Sequence, residues 1–208
     1  MTTLLDGALL GLALGLRHTL EPDHLAAVGT FVSRTKSPGR AAAIGALWGT
    51  GHAAGILLLG GLILWFRRTM PVWLDTSLEL AVGGVLVGLG LRTMWVAQRM
   101  RSPQDPRTDA VLGPFAVGVG HGLAGTGAAV LLATAAMPDA VSGTGFLAVF
   151  GAGSVFGMAA VAGIVSLPLG HRVASEVWRA RILQVAGLLS LVIGTWWIVS
   201  SGAELLVR

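Results

Sequence analysis

Six apolar stretches, each about 20 residues or longer and separated by short polar loops, constrain this chain more than any other feature. They run Leu4–Val32, Ala41–Trp65, Leu78–Val96, Val111–Met137, Gly143–Leu169 and Ile182–Leu205. In hydrocarbon every backbone N–H and C=O needs a partner within the protein, which leaves helices for stretches of this length. Only 12% of the 208 residues are charged and 54% are hydrophobic, too few charges to clothe a soluble domain. The expectation is an all-α integral membrane protein with six transmembrane helices and little mass outside the lipid bilayer. Gly occurs 31 times, which suits close approach of helix backbones. The absence of Cys excludes disulfides, thiolate metal sites and a Cys nucleophile.

The basic residues sit in small clusters between spans. Arg34, Lys36 and Arg40 follow the first span, Arg99, Arg101 and Arg107 the third, and Arg172, Arg179 and Arg181 the fifth. The alternate loops hold Arg67 and Arg68, then none. Loop charge of this kind sets topology and is no footprint for nucleic acid; it predicts both termini outside the cytoplasm. Trp65, Trp73, Trp95 and Trp178 fall near span ends, where an aromatic belt is expected, whereas Trp48, Trp196 and Trp197 do not. The N-terminus has no basic region ahead of an apolar one, so the first span itself is expected to insert.

The halves resemble each other. Leu16-Arg17-His18-Thr19-Leu20 aligns with Val119-Gly120-His121-Gly122-Leu123, Gly51-His52-Ala53-Ala54 with Gly157-Met158-Ala159-Ala160, and Gly83 and Gly90 with Gly187 and Gly194. One nearly constant offset relates the two sets. Three spans per half is an odd number, so the second half enters the membrane the other way up. The expected plan is two inverted three-helix repeats, residues 1–98 and 111–208, joined by a cytoplasmic linker at 99–110, with a site where the repeats meet. The pairs Gly51/Gly55, Gly84/Gly88 and Gly118/Gly122 are expected to serve packing within the chain.

His18-Thr19-Leu20-Glu21-Pro22-Asp23-His24 places two imidazoles and two carboxylates inside the first span, and ionisable groups at that depth mark a transport path by default. His52, His121 and Met158 fall near the middles of the second, fourth and fifth spans, level with His18. The first span is too long for one straight helix, and Pro22 supplies a break by lacking an N–H and disfavouring helical backbone at Glu21. In an unbroken helix His18 and His24 would stand about 240° apart; a break lets both face one ion. His18, His24 and His52 are the candidate metal ligands. Asp23 either ligates or orients an imidazole. Glu21 could balance Arg17, and His121 and Met158 are further ligand or pathway candidates. Protons compete with metal for imidazole, so metal uptake or release is expected to weaken as pH falls through the imidazole range.

His18-x4-Asp23-His24 resembles the His-x4-Asp-His signature of the nickel/cobalt transporter family, Gly51-His52-Ala53 resembles that family's second Gly-His motif, and Phe156-Gly157-Met158 its Gly-Met motif. The context from Gly15 to Val28 is most similar to the short six-span branch of urease-accessory or nickel-permease type. The resemblance implies movement of a transition metal across a bacterial inner membrane, with His18, Asp23, His24 and His52 as the motif residues. Glu21-Pro22-Asp23 departs from the family's Asp-Ala-Asp run, Ala53 replaces a usual Ser, and Gly122 to Leu131 lacks the family's acidic motif.

The function expected from residues and resemblance together is a secondary transporter, not an enzyme, carrying Ni²⁺ or Co²⁺ as substrate with no permanently bound cofactor. A cytoplasmic metallochaperone is a candidate partner at the basic loops. Two alternatives stand beside it: a small-solute exporter on the same repeat plan with a proton-coupling His motif, and an intramembrane metalloenzyme. The chain has no His-Glu-x-x-His and no nucleophile beside a base, which weighs against the enzyme.

Overall fold

Apolar runs of this length become helices because only a helix satisfies its own backbone, and in the computed structural model every regular element among the described residues is a helix. It describes residues 4–32, 35, 37–66, 71–99, 112–170 and 176–206. Eight helices occur among the described residues: α1 (Leu4–His18), α2 (Pro22–Val32), α3 (Pro38–Trp65), α4 (Val72–Arg99), α5 (Leu112–Ala124), α6 (Thr126–Ala136), α7 (Ala140–Gly170) and α8 (Glu176–Leu206). The protein is a multi-pass membrane protein. Of the linker expected at 99–110 only Arg99 is described, as the last residue of α4, and most of the basic loop residues also lie outside the described residues.

Four helices, α3, α4, α7 and α8, are long and apolar enough to cross a bilayer, and α5 with α6 makes a fifth candidate bent by 55°. The stretch expected as the first span is divided. α1 ends at His18, α2 begins at Pro22, and neither is long enough to cross alone. Proline at the first position of a helix gives up an N–H that has no helical partner anyway. Leu20 N–H and Glu21 N–H close the end of α1 onto the Arg17 and His18 carbonyls at 3.0 and 3.1 Å. Helix starts elsewhere follow equally local chemistry. Ser37-Pro38 opens α3, and Asp139 caps α7 by accepting Ser142 N–H at 2.9 Å and Ser142 Oγ–H at 3.1 Å.

The order short, short, long, long occurs twice along the chain. The long helices pair antiparallel. Gly45 of α3 lies against Met158 and Ala162 of α7, and Gly60, further along α3, against Leu147, earlier on α7. On α4 and α8 a Cβ at Gly83 would meet Gly194 O at 2.9 Å, and one at Gly90 would meet Gly187 O at 2.7 Å. The short first helices run parallel to the long helix of the other half. Gly11 and Gly15 of α1 lie against Phe146 and Phe150 of α7, as Gly51 and Gly55 of α3 lie against Phe115 and Val119 of α5. Close contact of this kind substitutes dispersion for a hydrophobic drive that lipid does not supply.

Two of the three expected glycine pairs therefore pack within the chain. Gly84 and Gly88 do not: nothing lies within 4 Å of a Cβ at either, because that face of α4 points out beside exposed Val85 and Leu91. Trp65, Trp73 and Trp95 are exposed at helix ends, as a belt requires, and Trp196 is exposed on α8. Trp48 is fully buried, and it belongs to the site.

Candidate metal centre

Three breaks in regularity bring the imidazoles together. α1 stops at His18 with its side chain over the gap, α2 restarts at Pro22 so that Asp23 and His24 point inward from its first turn, and α5 ends three residues after His121. α3 runs unbroken past them and contributes His52 and Trp48. Gly118 and Gly122 make the approach close, since a Cβ at either would overlap the Trp48 or His52 carbonyl oxygen.

His18 Nε2 stands 3.2 Å from His52 Nε2. The ring centroids of His18 and His24 are 4.4 Å apart, those of His24 and His52 5.0 Å, and those of His24 and His121 4.6 Å. His24, His52 and His121 are buried and His18 is half-buried. Four of the five histidines in the chain thus form one cluster. The gap between α1 and α2 removes the angular separation that a continuous helix would impose on His18 and His24.

Two overlapping groups of donors result. One nitrogen from each of His18, His24 and His52 lies within 4.8 Å of the others, and the same holds for donors of Asp23, His24 and His121. The second group is a closed hydrogen-bond network. Asp23 Oδ1 lies 2.9 Å from the His24 backbone N–H and 3.0 Å from His24 Nδ1, and Asp23 Oδ2 lies 2.9 Å from His121 Nε2. An ionised carboxylate only accepts, so these contacts place protons on His24 Nδ1 and His121 Nε2. A neutral His24 then carries its lone pair on Nε2.

The first group is open. His24 Nε2 and His52 Nδ1 are buried without a hydrogen-bond partner, as is Trp48 Nε1. Unpaired polar atoms in a buried site are costly, and of the three only His24 Nε2 offers a lone pair that a cation could take, since the Trp48 indole only donates and His52 turns Nε2 toward His18. Two nitrogens bound to one ion at about 2.05 Å each stand ~2.9 Å apart at a right angle and ~3.3 Å apart at the tetrahedral angle. The 3.2 Å between His18 Nε2 and His52 Nε2 falls in that interval.

The remaining candidates fall outside these groups. Glu21 is 53% exposed and its Oε1 lies 2.9 Å from His18 Nδ1, so it pairs with His18 rather than with Arg17. Met158 is fully buried in an apolar cluster with Trp48, Val28 and Leu86, its sulfur against Gly49. Sequence reasoning missed Trp48 as a wall of the cluster, 5.4 Å from His24 and 5.7 Å from His121 between ring centroids. It also missed Phe150, 5.3 Å from His18. Trp48 lies one helical turn before His52, which was the available signal.

A buried His/Asp cluster between broken and unbroken helices of a multi-pass membrane protein is the class this chain falls in. The chain is 29% identical over 206 residues to the urease accessory protein UreH of a Bacillus species, covering 93% of this chain and 90% of the relative. It is 33% identical to the chloroplast protein FOR GROWTH AND FERTILITY 2 of Arabidopsis thaliana across 76% of this chain and 46% of that one. It is 37% identical over 84 residues to a high-affinity nickel transport protein of Cupriavidus necator, 40% of this chain and 23% of that one. No family model and no solved structure matches the chain. The chain is similar along most of its length to a urease accessory protein, the likeness to which the context from Gly15 to Val28 pointed.

Proposed function

We propose that this protein is a permease that moves a divalent transition-metal cation, Ni²⁺ or Co²⁺ foremost, through the His18, His24 and His52 site. The observation that carries the reading is the buried, unpartnered His24 Nε2 beside the contact between His18 Nε2 and His52 Nε2. Neutral imidazole suits borderline metals, and similarity to a nickel transport protein supports nickel as the substrate. In this reading Asp23 orients His24 by accepting its Nδ1–H, which leaves Nε2 free to bind; His121 anchors the far oxygen of Asp23.

The transport cycle we infer is alternating access between two inverted repeats, residues 1–98 and 111–208. Three features support it: the repeated short-short-long-long helix order, the antiparallel pairing of α3 with α7 and α4 with α8, and the exchange of the Gly83–Gly194 contact into Gly90–Gly187 under the repeat offset. The bent α5–α6 pair and the divided α1–α2 pair are then equivalent broken spans, giving six crossings. Both termini lie outside the cytoplasm of a bacterial inner membrane, and a metallochaperone docks at the basic cytoplasmic loops.

The test is flux into liposomes containing a metal-sensing dye, comparing wild type with His18→Ala and His52→Ala across Ni²⁺, Co²⁺, Fe²⁺, Mn²⁺ and Zn²⁺. Uptake of Ni²⁺ or Co²⁺ that both substitutions abolish is the expected result. Uptake that survives both contradicts the site. No flux of any of the five metals contradicts the reading and favours the small-solute exporter or the intramembrane metalloenzyme.

A further inference from the structure

A groove of about 630 Å³ lies on the outside of the bundle where α2 meets α8, and Asp23 and His24 of the histidine cluster are not among its lining residues. Pro22, Leu25 and Gly29 form one wall, and Val185, Leu189 and Ile193 the other. Leu25, Val185 and Leu189 are 40%, 59% and 52% exposed, so the groove opens toward the bilayer. Among the described residues Arg181 is the one charged residue lining it, at the start of the apolar part of α8. From Arg181 to Ile193 the helical rise gives about 18 Å, against a leaflet of about 15 Å, half the hydrocarbon core.

These features select the occupant. A channel for a divalent cation would need oxygen or nitrogen donors along its walls, and here Gln184 is the one such side chain on otherwise apolar walls of described residues, while the Arg181 charge repels cations. A slot one leaflet deep, apolar along its length and carrying a guanidinium at headgroup level, matches a single acyl chain with a phosphate at its end. We propose that the α2/α8 groove binds an anionic phospholipid of the surrounding bilayer, its acyl chain between Leu25 and Leu189 and its phosphate on Arg181. The chain of that lipid then forms part of the support of α2, the helix whose first turn carries Asp23 and His24. The inference does not depend on which ion the protein carries or on whether it carries one.

The experiment is native mass spectrometry of the full chain, purified after reconstitution in equal parts phosphatidylglycerol and phosphatidylcholine. Wild type is expected to retain one phosphatidylglycerol per chain, at least fivefold over phosphatidylcholine. Arg181→Gln is expected to remove that preference. Leu189→Trp, which fills the slot, is expected to remove the retained lipid whatever its headgroup. Arg92→Gln, an exposed arginine of α4 outside the groove, is the control and keeps both. Equal retention of the two lipids by wild type, undiminished phosphatidylglycerol in Arg181→Gln, or a dimer with no retained lipid would each overturn the proposal. A failed metal flux assay would leave this result unaffected.

Discussion

Gly122→Ala tests how the cluster is held. Gly122 faces α3 at His52, and an added methyl would overlap the His52 carbonyl oxygen and crowd its carbonyl carbon and Cα. Carbon atoms rest at about 3.5–4.0 Å, so α5 and α3 must part by roughly 1 Å. The backbone cannot yield as a flexible side chain would, and overpacking of this kind costs about 1–3 kcal/mol. The same displacement carries His121 away from His52 and loosens its bond to Asp23. Gly120→Ala is the matched control: it lies two residues earlier on the same helix, with nothing within 4 Å of its Cβ. There the exchange removes a helix-interior glycine and is expected to stabilise by about 0.5–1 kcal/mol. Thermal unfolding in detergent reads the difference, at about 2–4 °C per kcal/mol for a chain of this length. Metal titration calorimetry on the same samples reads the site. Gly122→Ala is expected to unfold several degrees below Gly120→Ala and to bind more weakly. Equal melting temperatures and equal affinities would refute the close-packing argument.

Asp23→Asn keeps the shape of the side chain but exchanges an acceptor for a donor toward one imidazole; metal affinity is expected to fall about 10–100-fold by calorimetry, with His121→Ala producing a smaller loss. Asp139 at the head of α7 lies outside the spans, and hydrogen bonds from the Ser142 backbone and hydroxyl hold its carboxyl below the ordinary value of 3.8. Its stabilising contribution is therefore complete above that value and fades as pH falls through the lower folded value. Asp139→Asn retains the cap without the charge, so its melting temperature relative to wild type should rise as pH drops below 3.8. Because the chain has no Cys, single cysteines at Thr2 and Ser102 can be labelled cleanly; an impermeant maleimide applied to intact cells should reach the first and not the second.

Much of the helical frame was legible because helix formation in lipid is set by apolar length. The expected spans at Ala41–Trp65 and Gly143–Leu169 differ from α3 and α7 by at most three residues at either end. The break in the first span was legible because Pro22 carries its own mechanism. The break in the other half was not read: Gly125 stands one repeat offset from Pro22, yet glycine permits a bend without requiring one, and only the packing against α3 shows the 55° turn. Depth along a helix follows from position, so His18, His52 and His121 could be placed at one level. Which rings touch depends on helix rotation and interaxial distance, and these follow from glycine contacts between distant segments. For the same reason the bridge from Asp23 to His121, 98 residues apart, and the outward face of Gly84 and Gly88 emerged only from tertiary structure.

The central claim is that His18, His24 and His52 close around one divalent ion. X-ray absorption spectroscopy of the Ni²⁺-loaded protein tests it most directly. The account predicts multiple-scattering features of three imidazoles with metal–nitrogen distances of about 2.0–2.1 Å, and loss of one imidazole in each of His18→Ala, His24→Ala and His52→Ala. A spectrum of oxygen donors alone, or one that none of the three substitutions changes, would contradict it.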